Sequence, residues 1–135
     1  MRRKILWWIT MVIYLAVLLR ITVFRPGITA ETLLSGSLNL VPFSEYLRFA
    51  HNGSWSVFLY YFVGNILCFL PFGALLCRKG SAGKWYHVLA LSVLLSVLIE
   101  GFQFILGTGV TETDDVVLNT LGSMIGYYLV RKITE

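Results

Sequence analysis

The chain has 135 residues, 57% of them apolar and 13% charged, with a mean hydropathy of +0.76. Soluble domains run at about 45–50% apolar and about 25% charged, so a water-soluble globule of this one-domain length is excluded as the default. The net charge of +4 does not indicate nucleic acid, because the basic residues flank apolar segments and read as topology signals.

A membrane-spanning helix needs about 20 mostly apolar residues. The first such stretch is Ile5–Phe24, preceded by Arg2, Arg3 and Lys4. Its apolar run is too long for a typical leader and no small-residue cleavage site follows, so it reads as a retained span. The long connection after it, about 25–56, is not plain linker. "NLVPFSEYLRFA" predicts an interfacial element with a short amphipathic helix from Ser44, Ser44 serving as N-cap and Tyr46, Leu47, Phe49 and Ala50 as apolar contacts. "HNGS" then turns the chain.

Further spans are predicted at about Val57–Cys77, Trp85–Leu106 and Asp115–Val130. Pro71 should break or kink the second of these. The fourth is short and carries a polar first turn. The expected fold is thus all-α, a small polytopic bundle of four transmembrane helices. Residues 1–30 supply the first helix and 31–132 supply the rest of one structural unit. Arg78, Lys79 and Lys84 lie between spans two and three, and Arg131 and Lys132 follow span four. Excess Lys and Arg mark cytoplasmic segments, so both termini are expected inside and the 25–56 connection outside.

Within the spans the polar residues keep helical spacing. Ser92, Ser96, Glu100 and Gln103 share one face of span three, and Asp115, Asn119, Gly122 and Gly126 share one face of span four. Span two offers Asn65. At about 1.5 Å per residue, Glu100 lies about 9 Å from the outer helix end, level with Arg20, Asn65, Gln103, Asp115 and Asn119. Polar side chains avoid lipid and turn into the bundle, so these should form one outward-facing cluster in the outer leaflet. Arg20 is the expected partner of Glu100, and Gly122 and Gly126 should allow close helix packing. Cys68 and Cys77 are about 13 Å apart along one helix and cannot bridge. His51 and His87 have no companions at ligand spacing. Neither a metal nor another cofactor is expected.

Four segments, "NLVPF" (39–43), "GNILCFLPFG" (64–73), "IEGFQ" (99–103) and "DDVVLNTLGSMIGY" (114–127), together resemble the VanZ-like membrane proteins of bacteria. The resemblance covers about 39–127 and adds Asn39, Pro42, Phe43, Pro71 and Asp114 to the residues of interest. Members often carry a basic residue shortly before the Asp pair, where this chain reads "GVTETDD". The family takes its name from a protein that accompanies glycopeptide resistance and is associated with reduced sensitivity to teicoplanin. The resemblance implies a multi-pass protein of the bacterial cytoplasmic membrane that modulates glycopeptide sensitivity. The outer polar cluster adds a lipid or lipid-like ligand as the expected partner.

Two other classes compete with this reading. An intramembrane enzyme acting on a lipid-linked envelope substrate would use Glu100 and Asp115 as general acid and base. No serine elbow, metal ligand set or phosphate-binding glycine loop accompanies them, which favours a non-enzymatic reading. A small transporter would require at least a homo-oligomer, since four helices without an inverted repeat are few for alternating access.

Overall fold

The computed structural model describes residues 2–24, 28–77 and 84–134. Arg78 and Lys79, which contribute to the topology argument, lie outside the described residues. In chain order the elements are α1 (Arg2–Thr22), β1 (Ser37–Asn39), α2 (Ser44–His51), α3 (Trp55–Leu76), α4 (Trp85–Leu106), β2 (Val110–Glu112) and α5 (Thr113–Thr134).

Three of the described helices are long and apolar enough to cross a membrane: Lys4–Thr22, Trp55–Leu76 and Trp85–Leu106. The fourth helix expected to span, α5, also has 22 residues but is not among them. It opens on Asp114 and Asp115 and closes on Arg131 and Lys132, so its apolar stretch is shorter than its helix. Pro71 does not break α3, which continues to Leu76. Its ring removes one donor from the ladder, and the packing described next holds the helix on both sides of it.

The closest helix packing is between α3 and α5, and glycines make it so. A Cβ on Gly122 would sit 2.2 Å from the Ile66 carbonyl oxygen, and one on Gly126 would sit 1.9 Å from that of Leu70. From the other side, a Cβ on Gly73 would sit 1.7 Å from the Ser123 carbonyl oxygen. The two backbones therefore touch, the arrangement small residues allow in membrane bundles. Gly73 and Ser123 belong to this seam and were not among the residues expected to pack there. The α1 helix is pinned from outside it: Trp7 Nε1 donates to the Leu75 carbonyl and the Tyr14 hydroxyl to that of Cys68, each at 2.8 Å. Leu18, Val23, Phe69 and Ile99 form the buried apolar core between α1, α3 and α4.

At one end of the bundle, called here the loop end, α1 and α4 finish and α3 and α5 begin. Gly107 ends α4 in the left-handed region, φ 61°, against the Thr32 carbonyl. The long connection is laced to the α4–α5 turn by two short parallel strands, with Ser37 opposite Val110, Leu38 opposite Thr111 and Asn39 opposite Glu112. Such three-residue strands have no sequence signature. The short helix does begin at Ser44, but Ser44 is not its N-cap. That position is Phe43, held at φ 57° without a side-chain cap bond, and the Ser44 hydroxyl instead donates to Asn39 Oδ1 at 3.2 Å.

Candidate functional site

The polar face of α4 is sealed along its length: Ser92, Ser96, Glu100 and Gln103 are all buried. Each has a specific reason to be there. Ser92 donates to the Val88 carbonyl, and Ser96 accepts from Asn119 Nδ2 at 2.8 Å, which ties α4 to α5. Gln103 Nε2 donates to the Thr22 carbonyl at 3.1 Å and so closes the last turn of α1 onto α4.

Glu100 holds the loop end. Its Oε2 accepts the backbone N–H of Glu112 at 3.1 Å, while its own carbonyl accepts the Thr111 hydroxyl at 3.0 Å. One buried residue, 4% exposed, thus fixes β2 and with it the paired β1. Arg20 does not take the role expected of it. It lies on an exposed face of α1, and its guanidinium donates to the Phe24 carbonyl four residues on. A depth estimate places residues along a helix but not around it.

The aspartates divide their work. Asp114 is buried, and its Oδ2 accepts the Phe43 N–H at 2.6 Å, holding the left-handed turn that starts α2. Asp115 Oδ1 accepts from Asn65 Nδ2 at 2.6 Å and from the Tyr46 hydroxyl at 3.2 Å. Tyr46 is thereby a polar contact as well as an apolar one. Its ring packs edge-on against Phe58 and Phe62, at 5.8 and 5.9 Å, and docks α2 on α3. Burial first, then the Asp115 carboxylate, pushes its phenol well above the usual range. Asn39 Nδ2 reaches both Ser44 Oγ, at 2.8 Å, and Glu112 Oε1, at 3.2 Å. Pro42 sits exposed in the turn between Asn39 and α2.

Beneath this lacework is a chamber of about 300 Å³. Glu45, Glu100, Glu112 and Asp115 contribute carboxyl groups to its wall; Asn65, Gln103 and Asn119 contribute carboxamides. Glu112 and Glu45 are the members that sequence reasoning missed. The acidic run "TETDD" was the signal for Glu112, and Glu45 lies in the segment read only as a short amphipathic helix. Burial raises the pKa of Glu112, a bond from Asn39 opposes this, and the nearby Asp115, Glu45 and Asp114 raise it further. A second hollow, of about 320 Å³, lies against the same wall and is almost wholly apolar, lined by Leu38, Val97, Gly101, Phe104 and Val116. Glu100 and Glu112 line both spaces. Among the described residues no group of three or more His, Cys, Asp or Glu is placed to hold a metal ion.

A model of the VanZ/LLP1 family matches residues 11–134. The chain belongs to that family. Protein VanZ of Enterococcus faecium is 32% identical over 93 residues, 69% of this chain and 52% of that protein. The chain therefore spans about half the length of the curated relative it matches. No solved structure matches.

The structure joins the four sequence segments physically. "NLVPF" meets the Asp pair through Phe43–Asp114, and meets Glu112, two residues before that pair, through Asn39. "IEGFQ" supports both through Glu100, and the "GNILCFLPFG" and "DDVVLNTLGSMIGY" helices form the glycine seam. With three apolar helices and this membership, the chain is a VanZ-family membrane protein.

Proposed function

We propose that this protein binds a lipid or lipid-like amphiphile at its loop end, and that the loop end faces the outside of a bacterial cytoplasmic membrane. In this reading α5 completes a four-helix span and both termini face the cytoplasm, in keeping with Arg2, Lys84, Arg131 and Lys132 at the opposite end. One observation carries the reading: a polar chamber and an apolar hollow share the Glu100–Glu112 wall. An amphiphile has the same two parts. Ligand sites typically measure about 300–1,000 Å³ and combine apolar lining with a few convergent polar groups. The exposed apolar residues of the loop end, Leu38, Leu40, Val41, Phe43 and Leu47, suit a membrane interface.

Membership of the VanZ family makes glycopeptide sensitivity the phenotype to examine. Teicoplanin-type drugs carry an acyl chain, which brings them to the membrane. The test is growth of cells expressing the full chain in the presence of an acylated and an unacylated glycopeptide. Reduced sensitivity confined to the acylated drug, and lost in Glu100→Gln at equal abundance, supports the reading. An unchanged response to both drugs contradicts it.

A further inference from the structure

The polar groups left open in the chamber narrow the class of ligand, given the amphiphile reading on which this inference rests. Its acids are engaged within the protein. Glu45 pairs with Arg48 on the exposed side of α2. Glu100 accepts the Glu112 N–H, Asp115 accepts from Asn65 and Tyr46, and each has further interactions besides. The Glu112 carboxyl accepts from Asn39, and burial favours its neutral form. None of the four calls for a cationic head, and the described lining holds no Lys, Arg or His to call for an anionic one.

The open groups are uncharged, and they are of both kinds. Gln103, 6% exposed, gives one N–H to the Thr22 carbonyl. A carbonyl only accepts, so the orientation of that amide is settled: Oε1 is an acceptor and the amino group keeps a second N–H. Asn119, 4% exposed, uses one N–H on Ser96 Oγ and keeps the same pair of groups. Neither Gln103 Oε1 nor Asn119 Oδ1 has a hydrogen-bond partner among the described residues, and the Tyr61 hydroxyl has none either. The two amide oxygens are not sealed in protein, since the enclosed unpaired side-chain atoms among the described residues are Thr108 Oγ1 and Thr120 Oγ1. The open space that Gln103, Asn119 and Tyr61 all line is the chamber. Buried polar groups are costly unless something pairs with them.

We propose that the chamber holds an uncharged head bearing several hydroxyls, a single sugar ring, on an alkyl chain that lies in the apolar hollow beyond Glu100 and Glu112. A hydroxyl donates and accepts at one oxygen, so a head with several of them meets open carbonyls and open N–H groups alike. A charged head, of either sign, satisfies only one of the two kinds. The Phe49 and Tyr61 rings, stacked with centroids 6.1 Å apart, give the chamber a flat apolar side. The C–H face of a sugar ring packs on such a surface. At about 300 Å³ the chamber is at the small end of ligand sites, which suits one ring.

The test is equilibrium binding of radiolabelled dodecyl glucoside to the full chain in phosphatidylcholine nanodiscs, with empty nanodiscs subtracted. Saturable binding is expected. Dodecanol, dodecylamine and dodecyl phosphate, which share the chain but not the head, should each compete about tenfold more weakly than unlabelled dodecyl glucoside. Tyr61→Phe keeps the ring and removes one open hydroxyl, so it should weaken binding about fivefold, the worth of one neutral hydrogen bond, with melting unchanged. Including a glucosyl diacylglycerol in the discs distinguishes sources. Competition by it assigns the head to a membrane glycolipid, and its failure to compete assigns it to a glycosylated amphiphile supplied from outside. Equal or better competition by dodecanol, dodecylamine or dodecyl phosphate overturns the sugar assignment and leaves the amphiphile reading standing. Unchanged affinity in Tyr61→Phe overturns the placing of the head in this chamber. No saturable binding of any of the four amphiphiles overturns both readings.

Discussion

The Glu100 carboxyl accepts the backbone N–H of Glu112 at 3.1 Å, and the Glu112 carboxyl accepts from Asn39 at 3.2 Å. A buried helix residue thus holds a strand, and the next acid along holds the loop paired to that strand. Both acids also line the chamber, so support and site are the same groups.

Glu100→Gln separates the two roles. The amide keeps the shape and still offers an oxygen to the Glu112 N–H, but it carries no charge. Abundance and thermal stability should stay near those of the parent, while amphiphile binding falls at least tenfold. Glu100→Leu should differ, because it strands that N–H at a cost of about 1–3 kcal/mol. Parallel melting curves and binding isotherms check this.

Gly122→Ala should be among the most damaging single changes. Its methyl would meet the Ile66 carbonyl oxygen at 2.2 Å, and neither backbone can yield without parting α3 from α5. A loss of about 3 kcal/mol, the upper end of overpacking costs, is expected. Gly64→Ala and Gly101→Ala are the controls, since an added Cβ meets nothing within 4 Å at either position. Both should be neutral or stabilising by about 0.5–1 kcal/mol through better helix propensity. Detergent melting of the three variants ranks them.

Phe43 is held at φ 57°, where a bulky residue carries strain of about 1–3 kcal/mol, and Asp114 holds it there through its N–H. Asp114→Ala should cost about 1.5–3 kcal/mol, the range for a hydrogen bond to a charged group. Adding Phe43→Gly should recover part of this, because glycine adopts that turn without strain. Limited proteolysis across the 34–54 segment reports both effects.

How much of this was legible in the sequence follows from period. Ser92, Ser96, Glu100 and Gln103 recur at helical spacing, so their common face could be read directly, and the helix over 85–106 with it. Gly122 and Gly126 were visible for the same reason. Asn39, Glu112 and Phe43 were not placed, because their geometry comes from a three-residue parallel pair and a left-handed turn that no local pattern encodes. Arg20 was misassigned because depth along a helix is a one-dimensional coordinate, and the side chain lies on the exposed side of α1. The Ser44 cap failed through competition: Asn39 takes the Ser44 hydroxyl.

The response to pH should centre on Glu112. Its raised pKa means that the folded chain holds this proton more tightly than the unfolded chain. Its contribution to stability is therefore fully present below about pH 4.3, the ordinary Glu value, and is lost as pH rises through the folded value. The groups that set the window are Asp115, Glu45 and Asp114, which raise it, and Asn39, which lowers it; Glu100, Tyr46 and Arg48 stand close by. Glu112→Gln should flatten the stability profile above the ordinary Glu value, as measured by melting at a series of pH values.

The central claim is that an amphiphile lies across the Glu100–Glu112 wall. Photolabelling with a single-chain amphiphile carrying a diazirine in its chain, on the full chain in nanodiscs, tests it most directly. The account predicts covalent label on Leu38, Val97, Phe104 and Val116, which line the apolar hollow, and its suppression by excess of the same amphiphile without the diazirine. Label spread over the exposed face of α1, at Leu6, Val12 and Val17, and unaffected by competitor would contradict it.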